Sequence, residues 1–143
     1  MIIIQPIGGL CNRMRAINSA RVLAKKRGET LKVIWNVNPE LGCPFEELFQ
    51  KTDAFSLRNI HSKWDPQKVF YQLTRMVVGN EELGANRTEQ GLPDAYLASL
   101  PKNLYIATEE HFFPCHDYSP FQPTTEIADR VNAITAGFKS HNV

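Results

Sequence analysis

The sequence predicts an α/β fold, a parallel sheet of about four strands with helices on both faces. Three observations carry this. Ile2, Ile3 and Ile4 form an apolar run that leads into a glycine turn, Gly8-Gly9, and a helical pattern then extends to Gly28. A second β-branched run, LKVIW at 31–35, follows at once. A third, LYIAT at 104–108, precedes the last helical pattern. Strand–helix–strand units this short pair in parallel through a right-handed crossover, which is the Rossmann-like arrangement. At 143 residues one domain is expected, and 43% hydrophobic residues suffice for its core.

The elements can be justified in order. The first helix is expected over about 13–27, with Met14, Ile17, Ala20 or Arg21, and Ala24 on one face. Lys25, Lys26 and Arg27 suit the negative end of its dipole, and Gly28 suits its C-cap. Residues 36–43 read as a loop. Pro44 fits the first position of a short helix whose apolar face is Phe45, Leu48 and Phe49. Residues 54–60 alternate weakly and suggest a third strand. Asp65-Pro66 forms an N-cap and N1 pair for a helix running to about Val78, with Val69, Phe70, Leu73 and Val77 as its core stripe. Residues 79–102 carry Gly, Pro, Asn and Asp at short intervals and read as a loop-rich insertion with a helical turn near 95–100. Pro123 opens the final helix, with Ile127, Val131 and Ile134 on its buried face.

The net charge of +1 gives no whole-molecule field for nucleic acid or membrane, so any basic site must be local. Cys11, Cys43 and Cys115 are odd in number and far apart, which matches neither a disulfide framework nor a CxxC zinc pattern. The first apolar run lacks a basic leader and is too short to span a bilayer. A cytoplasmic protein is expected.

The chemistry concentrates at two strand ends. Gly8 and Gly9 lie between a strand and a helix that opens with Leu10, Asn12, Arg13 and Arg15. Free N–H groups and the dipole of such a helix start attract anions, and glycine lets the backbone approach the guest. Arg supplies a planar fork for phosphate, while Asn supplies a donor and an acceptor. The same glycine pair also serves as a plain tight connection. It matches neither the dinucleotide fingerprint nor a Walker loop. Cys11 would feel the same cationic field as a thiolate, or fill a position that needs a small residue.

The second stretch, residues 109–117, holds Glu109, Glu110, His111, Cys115, His116 and Asp117 around Phe112 and Phe113. Glu109, Glu110, His111 and Phe112 form a possible acceptor rim, with the aromatic rings as a stacking surface. The cluster reads equally as a surface turn. Zinc at His111, Cys115 and His116 fits no metal-binding spacing, and no metal is expected. Ligands of parallel sheets sit outside the strand carboxyl ends, a rule that brings residues 8–15 and 109–117 together.

Gly8, Gly9, Leu10, Asn12, Arg13 and Arg15, followed by Val33, Ile34 and Trp35 on the next strand, resemble the start of the GDP-fucose-dependent glycosyltransferases. The match covers about residues 1–36, with a fainter one at Phe121, Pro123, Glu126 and Ile127. The resemblance implies an N-terminal, acceptor-side half of a GT-B architecture spanning residues 1–143. On that expectation the donor-binding C-terminal domain, with the family's His-x-Arg-Arg-x-Asp motif, would lie outside this sequence, which reaches His141, Asn142 and Val143 about where that strand would begin. The implied reaction moves fucose from GDP-fucose to a hydroxyl of a carbohydrate acceptor. Asn12 and Arg13 would be catalytic, holding the diphosphate, and Arg15 would orient the turn. Gly8, Gly9 and Leu10 would complete the donor site. No cofactor is implied, and the half-enzyme alone would be inactive. The alternative is a non-catalytic module that binds an anion or a carbohydrate.

Overall fold

The computed structural model describes residues 1–141. Its strands are β1 (Ile2–Pro6), β2 (Leu31–Asn36), β3 (Ser56–Ile60), β4 (Val77–Val78) and β5 (Tyr105–Thr108). All pair in parallel in the order β3-β2-β1-β5-β4. The helices are α1 (Leu10–Arg27), α2 (Phe45–Leu48), α3 (Pro66–Thr74), α4 (Asn80–Asn86), α5 (Asp94–Ser99) and α6 (Thr125–His141). The expected Rossmann-like α/β sheet is therefore present, with five strands rather than four. Residues 142–143, where the next strand was anticipated, lie outside the described residues.

Strand alternation divides the core. Ile2, Ile4, Val33, Trp35 and Ile106 pack with Ile17, Ala20 and Leu23 of α1, and with Phe45 of α2 and Leu83 of α4. Ile3, Ile34, Ile60 and Tyr105 point to the other face, against Tyr71 of α3. Each fully buried isoleucine of β1 contributes roughly 2 kcal/mol. Gly28 caps α1 in the left-handed conformation and donates to Ala24 and Lys25, as its position suggested.

The additional strand is β4. The sequence carried the α3 helix through to Val78, but α3 ends at Thr74. Val77 and Val78 instead pair with Tyr105 and Ile106. The stretch at 79–102 also holds two helices, α4 and α5, where one helical turn was expected.

Two helix faces differ from expectation. Phe70 and Leu73 of α3 point outward, at 59% and 80% exposure. The phase of α3 is set by its cap and by polar contacts, not by its apolar stripe. Asp65 accepts from Lys68 N at 3.1 Å and from Arg58 Nε and Nη2 at 3.0 and 2.9 Å. That turns Tyr71 toward the sheet, where Lys32 and Arg75 sit over its ring. In α6, Val131 and Ile134 are also exposed instead of buried. The chain before α6 is tied down, with Gln50 N donating to Gln122 and Thr124 N to Leu48. From Asp129 to Phe138 the helix is then exposed.

The Arg58–Asp65 pair makes a pH prediction. Hydrogen bonds from Arg58 hold the Asp65 carboxyl below its ordinary value; burial opposes this and Lys68 N–H assists. A depressed carboxyl contributes stability that is full above the ordinary aspartate value near ~4 and is lost as pH falls through the folded value. Melting temperatures between neutral and acid pH should therefore drop below that point, and the drop should be shallower in Arg58→Met. An identical acid limb in both proteins would refute the assignment.

Candidate active site at the β1–β5 crevice

β1 is the switch point of the sheet: the chain leaves it toward β2 and returns on its other side as β5. Crevices form at the carboxyl ends of such a strand pair. Pro6 pairs with Thr108, and Ile7 N donates to Thr108 O at 2.9 Å. The sheet thus places residues 8–15 beside the segment that follows β5.

The turn is built from glycine for a reason. Gly8 sits at φ +91°, where a side chain is strained, and an added Cβ would lie 3.1 Å from Asn12 Nδ2. Gly9 is the N-cap of α1 and offers no side chain to its first turn, which also lacks an acidic residue. The leading N–H groups of α1, on Leu10, Cys11 and Asn12, therefore lack the usual side-chain acceptor.

The two arginines behave differently. Arg13 is fully buried. Its Nε donates to Gly8 O at 2.7 Å, Nη1 to Asn36 O at 2.7 Å and Nη2 to Asn38 Oδ1 at 3.1 Å. Its guanidinium lies 4.9 Å from the Trp35 ring centre. Burial pulls its pKa below the usual value, with Glu40 opposing. Arg13 thus clamps the β1–α1 turn to the chain leaving β2, where Asn38 Oδ1 also accepts from Glu40 N and Leu41 N. Arg15 is exposed and donates to Asn12 Oδ1, which leaves the Asn12 Nδ2 group for donation.

Opposite, the segment after β5 is held in place by residues that sequence reasoning passed over. Asn80 Oδ1 accepts from Thr108 Oγ1 and from Glu109 N. Arg87 pairs with Glu110 at 3.1 Å and donates to His111 O at 2.8 Å. Ser19 Oγ accepts from Phe112 N and Phe113 N. A serine among the inward residues of α1 was the one signal available, since a buried hydroxyl needs a partner. Glu109 and His111 remain exposed, whereas Phe112 and Phe113 are core side chains at 1% and 2% exposure. The anticipated stacking surface is not formed by these rings. Tyr118 is the exposed aromatic here, and it lines a groove with Cys11, Met14 and Arg15.

The two walls sense each other. Although much of His111 is exposed, partial desolvation of its ring lowers its pKa, and the charges of Arg87 and Arg15 lower it further. The imidazole is therefore biased to its neutral form. Among the described residues no His, Cys, Asp or Glu group is arranged to hold a metal ion, including His111, Cys115 and His116. The three cysteines are free thiols. No described helix is long and apolar enough to cross a membrane. No protein-family model, curated protein or solved structure matches the chain.

Proposed function

We propose that the crevice is the diphosphate end of a nucleotide-sugar site. On this reading the chain is the N-terminal, acceptor-side domain of a glycosyltransferase that moves fucose from GDP-fucose to a carbohydrate hydroxyl. The observation that carries the reading is the uncapped α1 N-terminus behind Gly8 and Gly9, set at the switch point of the sheet. The resemblance in residues 8–15 and 33–35 supplies the donor class.

The roles follow from placement. The N–H groups of the first α1 turn and Asn12 Nδ2 donate to the diphosphate. Arg15 brings the exposed positive charge that offsets the leaving group as the sugar–oxygen bond breaks. Arg13 is a positioning residue, since its three nitrogens are engaged within the domain. That engagement also favours the second reading, a binding module without catalysis, because it removes one arginine from direct chemistry.

Calorimetric titration with GDP, UDP and inorganic phosphate tests the reading. A single wall of a cleft should bind GDP with a millimolar dissociation constant, about −4 kcal/mol. Arg15→Ala should weaken it about tenfold, the value of one charge-assisted contact. Equal affinity for all three anions supports the binding module, and no binding at all contradicts both readings.

A further inference from the structure

Among the described residues two apolar surfaces stay largely exposed, touched only at their margins, where Lys63 lies over the Trp64 ring and Tyr71 meets the Phe70 ring. One is the outer side of α3 with its flanks, where Trp64, Phe70 and Leu73 are 73%, 59% and 80% exposed and Met76 and Val77 continue the patch. The other is the α6 stripe, with Val131, Ile134 and Phe138 spaced at helical intervals on one face. We propose that a second copy of this chain covers both, with α6 of each copy lying on the α3 patch of the other across a two-fold axis.

Area and charge choose this arrangement. An aromatic side chain covers roughly 150–250 Å² when buried and an aliphatic one somewhat less, so these eight partly exposed side chains present on the order of 800 Å² per copy. That is about what each partner contributes to a standard stable interface. The α6 stripe paired only with itself would bury about 600 Å² in total, short of the roughly 1,000 Å² that a specific interface clears. The α3 patch paired with itself would bring like charges together, because Lys63 and Arg75 flank it. The first two turns of α6 carry Glu126 and Asp129 against Arg130, which suits that basic rim. Reciprocal exchange of α6 uses both surfaces of each copy, which is what a two-fold assembly requires of a contact between unlike surfaces. The inference is independent of the anion-site reading, since neither surface includes a crevice residue.

Sedimentation velocity on the 143-residue chain and two variants tests it. Leu73→Asp and Ile134→Asp alter exposed side chains, and circular dichroism is the check that both remain folded. The wild type should be a concentration-dependent dimer, and each variant alone should be monomeric, because the two-fold repeats the defect at both contacts. An equimolar mixture of the variants should regain a heterodimer, since one α6–α3 contact is then intact. A monomeric wild type overturns the proposal. So does loss of the dimer in Ile134→Asp but not in Leu73→Asp, which is the signature of α6 self-pairing. A monomer whose binding to phosphatidylglycerol vesicles is lost in Leu73→Asp also overturns it, in favour of a membrane surface.

Discussion

Gly91→Ala should lower stability by about 3 kcal/mol, seen as a fall in the denaturant midpoint at unchanged slope. Gly91 has φ +114°, and an added Cβ would lie 2.2 Å from Cδ1 and 2.6 Å from Cε1 of Phe113. Neither partner has room to yield. The Phe113 ring is buried, and its backbone is held by Ser19 Oγ. Gly91 closes a turn in which Thr88 N donates to Gly91 O at 2.8 Å and Gly91 N to Thr88 O at 3.1 Å. Strain and clash therefore add. Combining the change with Phe113→Leu should recover the steric part and leave the backbone part. An unchanged midpoint in the single variant would show that this loop repacks freely.

Arg13→Met should cost a similar amount, about 3 kcal/mol, because the Gly8 and Asn36 carbonyls lose charge-assisted donors and Trp35 loses its cationic neighbour. Arg13→Lys should recover little of this. One ammonium at the end of a flexible stem does not reproduce a planar fork spread over three acceptors. Amide resonances of residues 8–12 and 36–41 should shift together in both variants, since the clamp joins these two turns. Stability within about 0.5 kcal/mol of wild type would make the side chain a surface group in solution and contradict its burial.

The contrast between Arg13 and Arg15 shows where sequence reading stops. Both follow the glycine pair, and the resemblance implied Arg13 on the diphosphate with Arg15 orienting the turn, whereas Arg13 is the buried clamp and Arg15 the exposed side chain. Their separation depends on Trp35 and on the chain leaving β2, which reach Arg13 only after β1 and β2 pair. β1, β2 and β5, the Gly28 cap and the Asp65-Pro66 helix start were legible because each rests on local rules of periodicity and capping. β4 was not, since a two-residue strand exists only through its pairing with β5. The outward faces of α3 and α6 were misread for a related reason. Periodicity finds an apolar stripe but does not say what, if anything, covers it. The pairing of the two strand ends was foreseen from sheet topology, whereas the burial of Phe112 and Phe113 depended on Ser19 ninety-odd residues earlier.

The central claim is that the β1–α1 turn receives an anion together with the segment after β5. Amide chemical shifts of the isotope-labelled chain during titration with GDP test it most directly, because they report location as well as affinity. The account predicts progressive shifts at residues 8–12 and 109–111, saturating in the millimolar range, and the same shifts at roughly tenfold higher GDP in Arg15→Ala with the remaining spectrum intact. Shifts confined to other surfaces, or none at those concentrations, would contradict it.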